Sequence, residues 1–183
     1  NTYNMRKITI IAIAVVVLAT SPVVHAESQD TIVLNDEQMS LIRINCVNVQ
    51  STLERVHSSD ALARVHLGQE YETISTKLMA TMNSRIALNR LDDVELTKTT
   101  ADFNTQLDGF RSQYQQYEQT LLRAIQINCK NQPVEFYDTI ELARDRRAAV
   151  RESVDKLSGL LQQYSTQLNA FSERVLKPEG NKQ

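Results

Sequence analysis

Apolar residues recur at alternating steps of four and three along two long stretches of the chain, and this spacing constrains the fold more than any other feature. The first stretch covers residues 96–124 and the second covers residues 136–175. The first series is Leu96, Thr100, Phe103, Leu107, Phe110, Tyr114, Tyr117, Leu121 and Ala124. Such spacing aligns side chains along one face of an α-helix, as in coiled coils. The chain is therefore predicted to be all-α.

A third, less regular series extends this pattern towards the N-terminus. Asn35 precedes two acidic residues, which is typical of a capped helix start, and apolar residues then follow helical spacing to Ile86. Short links between long helices make neighbouring helices antiparallel. We predict an elongated antiparallel three-helix bundle over residues 35–176, or a four-helix bundle if the first helix is interrupted. A flexible lead-in at 27–34 and a flexible tail at 177–183 are expected to flank it.

The composition agrees with a single helical domain. The chain has 183 residues with only four Gly and three Pro, and 42% of its residues are apolar, enough to bury a core. Its 20 basic and 22 acidic residues nearly balance. Because a nucleic-acid-binding surface normally carries a clear excess of Lys and Arg, we expect no nucleic-acid partner.

Both cysteines lie in copies of one short pattern, Ile-x-Ile-Asn-Cys-x-Asn, at residues 42–48 and 125–131. The repeat indicates either an internal duplication or two helix-end segments that require similar residues. We favour the second interpretation, since Asn stabilises helix ends and turns. Two cysteines in an exported chain favour a structural disulfide between Cys46 and Cys129. An intermolecular disulfide and free thiols are the alternatives.

The expected disulfide conflicts with a straight first helix. Consider a straight hairpin of two helices in which the second helix begins at Thr97 and includes Cys129. The positions of the two cysteines along the hairpin axis then differ by roughly 18 Å. A disulfide requires Cα atoms within about 7 Å of each other. We therefore predict that the first helix breaks near residues 47–51 or 58–60, where Ser-rich segments resemble helix caps.

The N-terminus has the features of a secretory signal peptide over residues 1–26. Two basic residues precede an apolar run at 8–19, and small residues lead to a cleavage point after Ala26. Met5 is the predicted initiator, and residues 1–4 are interpreted as upstream sequence. We expect a bacterial protein that is secreted, periplasmic or held in the cell envelope.

A retained N-terminal membrane anchor is the alternative to cleavage. The apolar run is shorter than the approximately 20 residues that a membrane span needs, so cleavage is favoured. No segment after Ala26 is apolar enough to cross a membrane, and we expect no span in the cleaved chain.

Four side chains are candidates for a partner or ligand surface. Arg147 occupies an apolar position of the last helix, where an unpaired charge is costly. It is expected to pair with a buried acid, to extend to the rim or to mark an opening towards a partner. Tyr114, Tyr117 and Tyr164 lie on the apolar series, and their hydroxyls need polar partners. Core packing is the alternative role for these tyrosines.

Metal and catalytic motifs are weak or missing in the sequence. Glu54 and His57 match one Glu-x-x-His element of a di-iron bundle, but His66 has Ala63 where its own Glu would stand. The sequence contains no Gly-x-Ser-x-Gly, no phosphate-binding Gly loop and no His-Glu-x-x-His. We predict a non-enzymatic protein without metal, cofactor or catalytic residues.

These patterns favour a structural or protein-interaction module that uses long helical faces to meet an unknown protein partner or a second copy of itself. The alternative is a periplasmic or extracellular binding or chaperone-like module that holds an apolar ligand or client between its helices.

Overall fold

The computed structural model describes residues 33–91 and 93–176. Its elements are α1 (Asp36–Thr73), a π-helical segment (Ile74–Met79), α2 (Ala80–Leu88), α3 (Val94–Gln126) and α4 (Pro133–Leu176). The first three follow one another without a break, and we call them together the first long helix. The predicted all-α antiparallel three-helix bundle is confirmed. The predicted signal peptide, most of the predicted lead-in and the predicted tail lie outside the described residues.

The predicted break in the first helix is wrong, because α1 continues through both proposed positions. The helix begins as expected: the side chain of Asn35 accepts from the N–H of Gln38, and the side-chain oxygen of Gln38 accepts from the N–H of Asn35. At the proposed breaks, the hydroxyls of Thr52 and Ser58 donate to carbonyls one turn earlier. These hydroxyls form their hydrogen bonds within α1 and therefore do not cap a new helix.

The disulfide nevertheless forms, with the Cα atoms of Cys46 and Cys129 5.6 Å apart. Helix α3 begins at Val94, earlier than expected, and spans about 50 Å. The chain then leaves the helix in an extended conformation at Ile127, so the last residues before Cys129 add about 10 Å. From Cys46 to Leu88 the first long helix covers about 64 Å. The path from Val94 to Cys129 and the path from Cys46 to Leu88 agree in length within a few ångströms. The disulfide can therefore form although α1 has no break.

The two copies of the cysteine pattern have different conformations. Cys46 lies in the interior of α1, whereas Cys129 lies in the loop between α3 and α4. The Asn45 side chain donates to the carbonyl of Leu41 within the helix, while the Asn128 side chain accepts from the N–H of Asn131 in a turn. The interpretation of both copies as helix ends is therefore wrong for the first copy.

The π-helical segment keeps the second half of the first long helix aligned with α3. In and just before this segment, the residues that face the bundle recur at steps of four: Leu67, Tyr71, Ser75 and Met79. In an α-helix such steps drift around the axis, and the wider π turn offsets the drift. Tyr71 and Met79 are buried, and the Ser75 hydroxyl donates to the Asn104 side chain on α3.

Helices α3 and α4 form the most extensively packed pair. The Asp93 side chain caps α3 by accepting from the Leu96 N–H at 3.0 Å, and Pro133 opens α4 as the sequence predicts. At the other end of α3, the Gln50 side chain donates to the carbonyls of Ile125 and Ile127, both at 2.9 Å. A side chain of α1 thus satisfies terminal carbonyls of α3.

Three apolar clusters follow one another along the bundle. The largest, near the turn between α2 and α3, includes Tyr71, Phe103, Phe110 and Leu157. A middle cluster lies around Tyr114 and Tyr117, and the third surrounds the disulfide. Within the described ranges, no helix combines the length and apolarity that a membrane crossing requires.

Candidate functional site

A charged cluster joins all three long helices at the middle of the bundle. Asp60 of α1 accepts two hydrogen bonds from the Arg147 guanidinium of α4, from Nε and Nη2, both at 2.8 Å. The hydroxyl of Tyr117 on α3 donates to the same carboxylate at 2.6 Å. We call these three residues the Asp60 cluster. Of the roles expected for Arg147, pairing with an acid of low exposure is the one that the structure contains.

Helical spacing places Asp60 in this position. The inward series of α1 runs through Cys46, Leu53 and Val56, and the next step of four reaches Asp60. From the sequence, Asp60 was expected to belong to a helix cap, and its pairing with Arg147 and Tyr117 was not predicted. The available signal was that an acid and an arginine each occupy a position on an apolar series, so that each is the natural partner of the other.

The ionisation states in the cluster follow from its packing. Burial, followed by the hydrogen bond to Asp60, raises the pKa of Tyr117, so its hydroxyl stays protonated and donates at neutral pH. The hydrogen bonds to Asp60 raise the pKa of Arg147. Burial also raises the pKa of Tyr114, with the acids Glu118 and Asp60 adding to the effect.

A small cavity of about 160 Å³ adjoins the Asp60 cluster. Its walls come from α1 and α4, and aromatic side chains of α3 form its floor. The residues around it are Asp60, Ala63, Arg64, Leu67, Phe110, Tyr114, Tyr117, Arg147, Val150, Arg151 and Val154. The guanidinium of Arg64 lies 5.1 Å from the centroid of the Tyr114 ring, at cation–π distance. Neither Arg64 nor Arg151 forms an ion pair with any of the described residues.

This arrangement can hold a compact apolar group. The volume of the cavity is close to that of an enclosed apolar cavity that accommodates a benzene-sized molecule, but this cavity opens to solvent and charged side chains form part of its lining. A larger groove of about 1060 Å³ lies nearby between α1 and α3, but charged, solvent-facing residues such as Glu72, Arg111 and Glu118 line it. The smaller cavity is therefore the better candidate for an apolar ligand.

Tyr164 does not belong to this site. The structure brings Arg147, Tyr114 and Tyr117 together, but Tyr164 lies about 25 Å further along α4. Tyr164 is buried in the largest apolar cluster, and its hydroxyl donates to the Asn83 side chain at 3.3 Å. Its position matches the core role that the sequence left as the alternative.

The Glu54–His57 element does not assemble a metal site. Glu54 is exposed, and the acid nearest to His57 is Glu118 of α3, 3.7 Å from Nε2. His66 is also exposed. In the part of the chain that the structure describes, no three His, Cys, Asp or Glu side chains gather as metal ligands would.

A second candidate surface lies on the solvent-exposed side of α1, and Val65 stands at its edge, where it also lines the groove between α1 and α3. Five aliphatic residues there are exposed, from 48% for Val65 to 74% for Ile44. We call this set the outer face; it consists of Leu41, Ile44, Val47, Leu62 and Val65. A solvated helix normally carries polar residues on this side. The outer face was not predicted from the sequence, because only the inward series was followed.

Comparison of the chain with known protein families, with curated proteins and with solved structures finds no match. Two candidate surfaces therefore bear on the function of the protein: the Asp60 cluster with its cavity, and the outer face of α1.

Proposed function

We propose that this protein is an exported, non-enzymatic interaction module that presents the outer face of α1 to a binding partner. The observation that supports this function is the exposure of five aliphatic side chains along one side of a helix whose other side already packs on the bundle. Exposed apolar clusters of this kind mark protein interaction sites. The internal disulfide holds the N-terminal half of α1 against the loop between α3 and α4, so the face is presented on a rigid support.

Export is supported by the N-terminal sequence and by the cysteine pair. The basic start, the apolar run and the small residues before Glu27 are typical of a signal peptide. Disulfides persist mainly in oxidising compartments outside the cytoplasm. Mass spectrometry of the protein recovered from the cells that produce it would test this part. We expect a mass that begins at Glu27 and is two hydrogens light; an intact N-terminus or free thiols would contradict export with cleavage.

Site-specific photo-crosslinking in the producing cells tests the interaction surface. A photoreactive residue at position 44 should give discrete protein adducts, and a lysine introduced at Leu62 on the same face should abolish them. The same photoreactive residue at Thr105, an exposed position of α3, serves as the control and should give none. Equal adducts at both positions, or none at position 44, would show that the outer face does not bind a partner.

A second candidate function is the binding of a small apolar ligand in the cavity beside the Asp60 cluster. Its aromatic floor and its volume support this role. Native mass spectrometry of the recovered protein should then show a retained small molecule, which an Ala63→Phe variant that fills the cavity would lose. Protein without an adduct, or an adduct that the variant retains, would exclude the cavity as its site.

A further inference from the structure

The outer face consists of two apolar groups separated by a polar stretch. Leu41, Ile44 and Val47 form the first group, and Leu62 and Val65 form the second. Leu41 and Ile44 precede Leu62 and Val65 by three whole heptads, a spacing that drifts by about 60° around a straight helix and that a left-handed crossing of two helices compensates. Corresponding residues of the two groups are about 32 Å apart along the helix.

We propose that the outer face binds the outer face of a second copy of this chain, with the two α1 helices antiparallel. This proposal rests on the function proposed above and names its partner. Leu41 of one copy then packs against Val65 of the other, and Ile44 packs against Leu62. Both pairs are centred on residue 53, so a single two-fold axis level with that residue brings the pairs together simultaneously. A two-fold interface requires such self-complementarity.

The polar stretch between the groups favours this orientation over a parallel one. Its exposed residues along the same side are Asn48, Ser51, Arg55 and Ser58. In a parallel, in-register pair, Arg55 of one copy faces Arg55 of the other, and like charges repel. In the antiparallel register, Arg55 faces Ser51. The neighbouring Glu54 supplies a carboxylate from each copy, so the centre of the interface carries no net charge.

The exposed area indicates a weak but specific dimer. Each residue of the outer face is partly exposed in the monomer, so dimerisation buries part of the area of a full aliphatic side chain. Summed over the five residues of both copies, the buried apolar surface is roughly 650 Å². With about 60% of a typical interface apolar, the total approaches roughly 1,100 Å². This value lies at the lower end for specific interfaces, where complexes are transient. We therefore expect association in the micromolar range of chain concentration.

Sedimentation equilibrium on the purified full chain tests the dimer. The native chain should be monomeric at about 1 µM and predominantly dimeric at several hundred micromolar, the range that corresponds to weak interfaces. Ile44→Lys and Leu62→Glu should each weaken association at least tenfold. Their side chains are largely exposed in the monomer, so neither change disturbs the core. Leu88→Lys, at an equally exposed site on α2 outside the face, is the matched control and should associate like the native chain.

Mixing the variants tests the register. An equimolar mixture of Ile44→Lys and Leu62→Glu should form a heterodimer, because the antiparallel pairing places the new lysine opposite the new glutamate. A mixture of Ile44→Lys and Ile44→Glu should stay monomeric. If the second mixture associates and the first does not, the helices are parallel and the proposed register is wrong.

The outcomes separate this proposal from the function on which it rests. A native chain that stays monomeric at several hundred micromolar overturns self-association. If photo-crosslinking at position 44 still yields adducts with another protein, the interaction module stands and its partner is not a second copy. If neither experiment detects a partner, both proposals fail.

Discussion

Helices α3 and α4 bury residues along their whole paired length, whereas α1 buries only Cys46 and Tyr71. Between these points, α1 is held by particular polar and partly buried contacts. Asp60 pairs with Arg147 and Tyr117, and the Gln50 side chain binds carbonyls at the end of α3. The α3–α4 pair therefore depends on a fully buried apolar seam, whereas α1 depends on partly buried apolar contacts together with these polar attachments.

Helix α1 carries apolar residues on two sides, the inward series that packs on the bundle and the outer face. One side of α1 packs on α3 and α4 through residues that are mostly partly buried, while the other side stays in solvent. If the disulfide and the Asp60 cluster hold α1 in place, removing either should loosen α1 more than the α3–α4 pair.

Removal of the disulfide should have the largest effect. In the chain-entropy model, a bond between residues separated by 83 positions stabilises the fold by about 4 kcal/mol. A Cys46→Ala/Cys129→Ala variant should lose about this free energy of unfolding in urea. Hydrogen exchange around the fully buried Leu157 of α4 should accelerate only by this global loss of stability, and exchange in the N-terminal half of α1 should accelerate more, because the bond holds that half against the loop. Uniform acceleration across all helices would contradict the contrast between α1 and the α3–α4 pair.

Replacement of Asp60 should have the next largest effect. Asp60→Ala leaves the buried Tyr117 hydroxyl without its acceptor, which costs about 2 kcal/mol. Arg147 is about half exposed and can turn to solvent, so the loss of its ion pair adds little. Chemical denaturation checks the value, and Glu141→Ala, which removes the carboxylate of the exposed Arg144 pair, is the control with an expected loss below about 0.5 kcal/mol. Equal losses in the two variants would exclude a structural role for the Asp60 cluster.

Alkaline pH should weaken the Asp60 cluster. Burial raises the pKa of Tyr117 above its ordinary value of 10.0. Its contribution to stability is complete below pH 10 and is lost as the pH rises towards the folded-state pKa, because only the unfolded chain ionises there. In that range, each ionisable tyrosine of this kind lowers stability by about 1.4 kcal/mol per pH unit. Tyr117→Phe should show a shallower decline above pH 10 in denaturation measurements. An unchanged slope would mean that Tyr117 ionises without unfolding.

Much of the fold was predictable from sequence because heptad spacing, the Asn35 cap and Pro133 are local signals. The continuity of α1 was not, since it depends on hydroxyls such as that of Ser58 bonding back into the helix. It also depends on the chain leaving α3 at Ile127 in an extended conformation and placing Cys129 in a turn. That path is a tertiary feature, which helical spacing does not contain.

The candidate sites were predictable only in part. Arg147, Tyr114 and Tyr117 stood out because polar groups on an apolar series need partners. The identity of that partner, Asp60, requires the alignment of α1 with α4, which single-helix patterns do not contain. The outer face requires knowing which side of α1 the bundle covers. Tyr164 shared the sequence signal of the other tyrosines, and only packing separates it from them.

The smallest effect should come from glycines in the two regions. A Cβ atom added at Gly68 of α1 or at Gly159 of α4 meets nothing within 4 Å, so alanine fits both sites. Each Gly→Ala change should stabilise the protein by about 0.8 kcal/mol, since alanine restricts the unfolded chain and favours the helix. Thermal denaturation of the two single variants measures both gains. If α1 is as firmly helical as α4, the gains are equal. A gain confined to Gly159→Ala would show that α1 is already frayed around Gly68 in the native state, and that its attachments on either side do not keep the intervening turns helical.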